Sequence, residues 1–411
     1  MKPAEYSQMN PAALAPKAGW FNQRCLETIL KHMPRLERGM LDLYLPDGQR
    51  LTFGQASPAE PHAELRLHSY RPLRRILRGG LIGWAEGYME GEWDSPDLSA
   101  LIRWAVHNES AMAEFLDGHR LMKLINRLFH LSRNNSRRGS RRNIAYHYDL
   151  GNDFYRLWLD PSMTYSAALF EEHESLQAAQ LNKYRRICRM LKLQPGQQVL
   201  EIGCGWGGFA EVAAAEFGVR VHGITLSREQ LEFARERARE AGLETLCSFS
   251  LTDYRDLSER YDHIVSIEMF EAVGEAHWAG YFDTLKRCLK PGGEAVLQVI
   301  SIAEDRFESY RRGADFIQRY IFPGGMLPSP SVMKSCLRQQ GLSLEEELLF
   351  GADYARTLAC WHRAFDEHWP AVRDQGFDER FRRMWKYYLS YCEGGFLEGT
   401  IDVGLYRLKP R

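Results

Sequence analysis

From about residue 144 onward, short apolar runs alternate with stretches whose apolar residues recur at helical spacing. The runs Gln198 to Ile202, Val219 to Ile224, Cys247 to Leu251, His263 to Ile267, Glu294 to Ile300, Ser343 to Leu349 and Ile401 to Arg407 predict strands. Strands separated by helices build a doubly wound α/β fold around a mostly parallel sheet. Ser227-Arg228-Glu229-Gln230 is a capping box that opens a charged helix reaching Ala241. Lys290-Pro291-Gly292-Gly293 predicts a turn into the fifth strand, and Phe322-Pro323-Gly324-Gly325 breaks a loop rich in aromatics (Tyr310, Phe316, Tyr320).

The first part of the chain has another pattern. Leu41 to Leu45, the turn Pro46-Asp47-Gly48 and Gln49 to Phe53 predict a hairpin, with helices at Leu73 to Leu77 and Leu98 to Val106. This is a small α+β unit. The segment Gly83 to Trp93 holds no recognisable catalytic constellation and is expected to position substrate, membrane or partner. At 411 residues the chain exceeds one ordinary core. The expected division is 1–118, a basic helix and linker at 119–143, and a catalytic domain at 144–411.

The ten residues Val199 to Gly208 (VLEIGCGWGG) run a buried-type strand directly into a glycine-packed turn, and a helical pattern from Phe209 to Phe217 follows. Nucleotide-type cofactors sit at such strand-to-helix turns, where glycine lets backbone approach a ligand closely. Gly203-x-Gly205-x-x-Gly208 also satisfies the dinucleotide fingerprint, so a dehydrogenase has to be weighed. A nicotinamide site wants an acid about 20 residues later to hold the ribose; here that place reads Gly223-Ile224-Thr225-Leu226-Ser227. The acid instead precedes the glycines, in Glu201-x-Gly203-x-Gly205. That order resembles motif I of S-adenosylmethionine-dependent methyltransferases.

Composition narrows the class. The chain is 45% hydrophobic and 26% charged with net charge −1, which fits a globular protein and gives no expectation of a nucleic-acid partner. It lacks an apolar run of the roughly 18 residues a spanning helix needs, and residues 1–20 lack a signal-peptide pattern; a cytoplasmic protein is expected. Eight cysteines are scattered without a C-x-x-C pair or metal spacing, so reduced thiols and no metal are expected. Arg120 to Arg142 holds eight basic residues and no acid, with Leu121, Leu124, Ile125, Leu128 and Phe129 at helical spacing. It can serve an anionic lipid surface or be an interdomain helix with a solvated linker. Both readings stay open.

The segments beyond the glycine turn resemble one family, the cyclopropane fatty acid synthases, including the mycolic acid cyclopropane synthases. The matching stretches are His147 to Tyr155, Met163 to Ser166, Glu201 to Gly208, Gly223 to Ser227, Asp253 to Asp256, Met269 to Gly274, Tyr320 to Gly325, Tyr354 to Leu358 and Ile401 to Gly404. They run in order from about residue 143 to the end, and Gly83 to Ile102 resembles the amino-terminal domain of the phospholipid-modifying branch. The resemblance implies a class I methyltransferase fold, Rossmann-like with a seven-stranded sheet whose last two strands form an antiparallel edge hairpin, plus a smaller α+β amino-terminal domain. It implies an enzyme that adds a methylene from S-adenosylmethionine across a cis double bond of a phospholipid acyl chain, with bound bicarbonate as the base. A homodimer peripheral to the inner face of the membrane is expected on the same ground.

Residue by residue, the resemblance places Tyr165 and Ser166 at the methionine part of the cofactor, with Glu201, Gly203, Cys204 and Gly205 at the turn beneath it. Thr225, Leu226, Ser227 and Gln230 fall around the ribose and adenine, and Asp253 and Tyr254 beside the adenine. Glu271 and Tyr354 match side-chain ligands of the bicarbonate, and Ala167, Gln298 and Ile300 match its other contacts; Glu271 could instead balance a helix start, and Glu268 is expected to be cofactor-side or structural. Ala167 stands where many members have Cys, and Gln298 where they have His. These departures leave open a methyl- or methylene-branched product. Cys392 aligns with a cysteine often labelled catalytic, yet no chemical step requires it. An alkene is a weak nucleophile whose cation must be kept from water, so aromatic walls suit the site; Tyr148, Phe154, Tyr165, Phe170, Phe270, Phe316, Tyr320 and Tyr354 are the candidates. A small-molecule N- or O-methyltransferase and a degenerate binding module are the competing readings.

Overall fold

The computed structural model describes residues 26–27, 38–116, 150–172 and 174–411. The basic segment Arg120 to Arg142 and Tyr148 lie outside the described residues. The chain divides into two compact units, 1–129 with 376–398 and 130–375 with 399–411.

In the first unit, strands β1 (Met40–Tyr44), β2 (Arg50–Gly54), β3 (His62–Leu67) and β4 (Trp93–Asp94) form a sheet in the order β2-β1-β3-β4. β1 and β2 are the anticipated hairpin, and β1 also pairs β3 in parallel. The helix that begins near Leu73 runs on to Met89, through a break at Gly80 (φ +60°), so most of Gly83 to Trp93 is helical. The long helix Glu379–Leu397 belongs to this unit, although the boundary at 144–411 would assign it to the catalytic domain. Its Arg383 donates to Trp93 O at 2.7 Å, and Arg380 pairs with Glu90 at 2.9 Å.

Among the described residues the second unit holds seven strands: β5 (Gln198–Ile202), β6 (Arg220–Thr225), β7 (Cys247–Leu251), β8 (Tyr261–Ile267), β9 (Leu289–Ile302), β10 (Leu342–Leu349) and β11 (Ile401–Pro410). Their order is β10-β11-β9-β8-β5-β6-β7, with β5 through β9 parallel. Central strands covered on both faces require continuous apolar runs, and Val199, Leu200, Ile264, Val265, Leu297 and Val299 are indeed fully buried. The Lys290 to Gly293 turn bulges out of β9, since Tyr261 pairs Leu289 and His263 pairs Glu294. β10 and β11 pair antiparallel, as anticipated, but not as an edge hairpin. β11 lies inside, between β10 and β9, and three helices separate the two in the chain. The strand order reverses at β5, where β6 lies to one side and β8 to the other. Ligands of open α/β sheets bind beyond the strand ends at such a reversal.

Candidate active site

Glu201 is the penultimate residue of β5, and after Ile202 the turn follows with Gly203 and Gly205 at φ of +83° and +50°. Both are left-handed conformations that cost a side-chain-bearing residue roughly 1–2 kcal/mol. Gly203 is also sterically committed, because a Cβ there would come within 2.9 Å of Met269 Cγ, whereas one on Gly205 would meet nothing within 4 Å. The Gly203 and Cys204 amides both donate to Ile224 O, which locks the turn to β6. The Cys204 side chain is buried, close against Gly223.

Glu201 is buried, and its Oε2 has no hydrogen-bond partner among the described residues. Burial raises its carboxyl well above the usual range, against the pull of Lys183. A backbone open at Gly205 beside an unmatched buried acceptor fits the amino and sulfonium groups of S-adenosylmethionine. On β6, Thr225 Oγ1 bonds Gln230 Oε1 at 2.9 Å and accepts the Ser227 amide at 3.1 Å, while Ser227 caps the following helix through the Gln230 amide. Leu226 is half-buried between them. Asp253 is buried and held by Arg255 at 2.6 Å, so its carboxylate is committed to that pair; Tyr254 stays half-buried with the Arg255 guanidinium over its ring.

Glu268, one residue beyond β8, is the hub of the site. Its backbone sits at φ +48°, a strained conformation for a non-glycine residue. Three donors converge on its carboxylate: the Ala167 amide (2.8 Å) and Gln298 Nε2 (2.7 Å) on Oε1, and the Tyr354 hydroxyl (2.7 Å) on Oε2. Its own amide donates to Gln298 O at 2.9 Å. Ala167, Gln298 and Tyr354 are therefore brought together as the resemblance implies, but around this side chain. They do not fit a separate bicarbonate, because the donors meant for it are engaged. Glu268 is the shared acceptor of these three groups.

Glu271 lies in the short turn Phe270–Ala272 and accepts the Ile300 amide on Oε1 at 2.6 Å. Its Oε2 has no partner among the described residues. Burial, and then the neighbouring Glu268, push its carboxyl up to about 8. Lys183 was not anticipated. It is fully buried on the helix Leu176–Met190, and its Nζ donates to Ser166 Oγ (2.5 Å) and Gln180 Oε1 (2.8 Å). Gln180 Nε2 in turn donates to Ser166 O at 2.8 Å, so a Gln-x-x-Lys pair on one helix face fixes the Tyr165-Ser166-Ala167 segment. Burial lowers the Lys183 amine, while Glu268, Asp160 and Glu201 pull it back up.

Beside these groups stands an aromatic wall. Tyr165 lies 5.2 Å from Trp361 and 5.5 Å from Trp158 between ring centroids, and Trp361 meets the Tyr354 ring edge-on at 6.1 Å. Trp158 and Trp361 were not foreseen. Of the expected aromatics, Phe154 and Phe270 are fully buried packing residues, Phe270 against Trp278, Tyr281 and Phe282. Phe316 pairs with Tyr320 at 5.5 Å, and Phe170 lies under the Arg356 guanidinium at 3.9 Å. Cys392 is carried by the helix Glu379–Leu397 of the first unit, whereas the groups around Glu268 all belong to the second.

Residues 135–405 match the family model described as mycolic acid cyclopropane synthetase. The chain is 37% identical to a tuberculostearic acid methyltransferase of Mycobacterium tuberculosis over 95% of its own length and 91% of that protein. It is 38% identical to the cyclopropane-fatty-acyl-phospholipid synthase of Escherichia coli over 83% of its length and 86% of the relative. Among solved structures, the mycolic acid cyclopropane synthase complexed with SAH and CTAB superposes with a TM-score of 0.62 at 32% identity, covering 65% of this chain and 97% of that one. A coclaurine N-methyltransferase bound to SAH, 19% identical with a TM-score of 0.61, shares the fold alone. With the glycine turn, the seven-stranded sheet and these matches in agreement, the chain belongs to the mycolic acid cyclopropane synthetase family of S-adenosylmethionine-dependent methyltransferases.

Proposed function

We propose that this enzyme modifies the cis double bond of an unsaturated phospholipid acyl chain and closes a cyclopropane ring there. S-adenosylmethionine supplies the methyl carbon as an electrophile. The chain's own residues hold the olefin against it, keep water from the resulting cation and take up the surplus proton. The observation that carries this reading is the aromatic wall of Tyr165, Trp158, Trp361 and Tyr354 running up to a buried carboxylate cluster beside the glycine turn. Aromatic faces stabilise a cation without being alkylated as readily as a lone pair, and a small soluble amine acceptor would need no such surface.

A second reading, a methyl- or methylene-branched acyl product, is favoured by the relative matched over 95% of this chain, a tuberculostearic acid methyltransferase. Both products share the first step and lose a proton from the new methyl group; a methylene branch requires that a hydride first shift from the methyl-bearing carbon to the neighbouring cation, and a saturated methyl branch requires a hydride donor besides. Contact with an anionic membrane face through Arg120 to Arg142, a cytoplasmic location and a homodimeric assembly are part of the same proposal.

Expression in a host lacking its own synthase, followed by lipid mass spectrometry, tests the reading. Phospholipid acyl chains should gain one CH₂, and proton NMR of the extracted lipid should show the upfield signals of ring methylene hydrogens. A branch methyl or exocyclic methylene signal would select the second reading. Unchanged acyl chains in cells containing the folded enzyme would refute both.

A further inference from the structure

We infer that Glu268 is the catalytic base of this enzyme, its Oε2 taking the proton that closes the reaction, so that turnover needs no bound bicarbonate. The inference rests on the function proposed above.

Four features support it. The first is place. Glu268 is followed by Met269, whose side chain lies against Gly203, and the Ala167 amide that holds Glu268 directly follows Ser166. The carboxylate therefore stands between the cofactor turn and the Tyr165-Ser166 segment. The second is acceptor arithmetic. A carboxylate has about four lone-pair sites. Ala167 and Gln298 occupy both on Oε1, and Tyr354 occupies one on Oε2. The remaining site on Oε2 adjoins the hydroxyl of Tyr354, whose ring continues the aromatic wall. The third is restraint. Three donors draw density from the carboxylate, and a carboxylate so held is a poor nucleophile toward a carbocation but still a competent base for the acidic hydrogens beside it. The fourth is strain. A left-handed backbone at a glutamate is kept only where the surroundings enforce it, and here four hydrogen bonds do so.

The step balances simply. The cation left on the acyl chain carries the new methyl group next to the electron-deficient carbon. Glu268 Oε2 forms an O–H bond with one hydrogen of that methyl; the C–H pair becomes the third ring bond, and the carboxylic acid returns its proton to solvent when the product leaves. For a methylene branch a hydride first shifts from the methyl-bearing carbon to the neighbouring cationic carbon; the same oxygen then takes a hydrogen of the methyl, and that C–H pair becomes the exocyclic double bond. Charged and titratable groups facing Glu268 are Lys183 on the helix Leu176–Met190, Glu271 on the turn after β8, and Tyr354 on the helix Gly351–Glu367. Burial raises the Glu268 carboxyl, against the pull of the Ala167 amide, the Tyr354 hydroxyl, the Lys183 cation and Gln298, which favour its ionised, basic form.

The test uses the full chain, S-adenosylmethionine with a labelled methyl group and vesicles of palmitoyl-oleoyl phosphatidylethanolamine, in carbon-dioxide-free buffer with and without added bicarbonate. Wild type should turn over equally in both. Glu268→Gln should lose about 100-fold or more in kcat, the lower range for a general base, while calorimetry shows cofactor affinity within a few-fold of wild type. Glu268→Gly, which opens the space of the carboxylate, should regain activity with added formate or bicarbonate. A wild type that stalls without bicarbonate would overturn the inference. So would a Glu268→Gln enzyme that keeps kcat within a few-fold, or one whose only defect is weak cofactor binding. If wild type leaves the lipid unmodified under every condition, the proposed function itself fails, an outcome separate from any effect of Glu268.

Discussion

Replacing Glu271 with Gln removes one titrating group without changing its shape. The amide oxygen can still accept the Ile300 amide, now 2.6 Å from Oε1. In the wild type, burial and then Glu268 raise this carboxyl from 4.5 to about 8. The sign follows from linkage. Between pH 4.5 and 8 the folded protein keeps the Glu271 proton while the unfolded chain has released it. Folding is therefore helped fully below pH 4.5, and that help is lost as pH rises through 8. At about 1.4 kcal/mol per unit of pKa difference, the loss across the window is about 3–5 kcal/mol. The Gln variant has no such proton to hold. Urea unfolding of wild type and Glu271→Gln at several pH values isolates the effect, because the other groups cancel in the difference. Wild type should lose ground on the variant steadily from pH 5 to 8. A difference that stays within about 1 kcal/mol over that range would show that Glu271 is ionised in the fold, and the reasoning would be wrong.

Three further outcomes are expected. Gly203→Ala places a Cβ at φ +83° and 2.9 Å from Met269 Cγ, so calorimetric affinity for S-adenosylmethionine should fall more than about tenfold, or roughly 1.4 kcal/mol; unchanged affinity would remove the turn from the cofactor site. Tyr354→Phe deletes a donor that lowers the Glu268 carboxyl, so the acid limb of the pH–rate profile should move to higher pH, with a stability loss of about 1.5–3 kcal/mol. Gly394→Val in the first unit drives a side chain into Ile102, whose Cγ2 would lie 2.7 Å from the new Cβ. Thermal unfolding should show a loss of about 1–3 kcal/mol with cofactor affinity retained.

The parts of this molecule that could be read in advance are those whose signal is local. The strand-turn-helix at Val199 to Gly208, the cap at Ser227 and the hairpin around Asp47 are written in adjacent residues, and each is present. The carboxylate hub was not readable that way. Its donors come from positions 101, 30 and 86 residues from Glu268, and the conformation that aims it is an unfavourable one that no propensity predicts. Lys183 was missed because a lysine in a charged helix reads as a solvated face. The clue was its phase, since it lies with Ala179, Tyr184 and Ile187 on the buried side. The family match led to Ala167, Gln298 and Tyr354 as a group yet not to the side chain they surround, because it assigned those three to a bound anion rather than to a carboxylate of the chain. The place of Glu379–Leu397 was hidden for a related reason: a break between units leaves little trace in a continuous amphipathic pattern.

The insertion of β11 between β9 and β10 has a consequence for how the molecule is made. The ten residues of β11, which join β10 to the rest of the catalytic sheet, are synthesised after every other strand of that sheet, and they arrive only after the chain has spent residues 376–398 in the other unit. Until then β9 and β10 each present an unpaired edge, the kind of surface that invites pairing between chains. A nascent or prematurely stopped polypeptide ending near residue 400 would thus be sticky rather than merely inactive. The two units also cannot be divided by a single cut, so a fragment meant to stand alone has to be built from two pieces of chain.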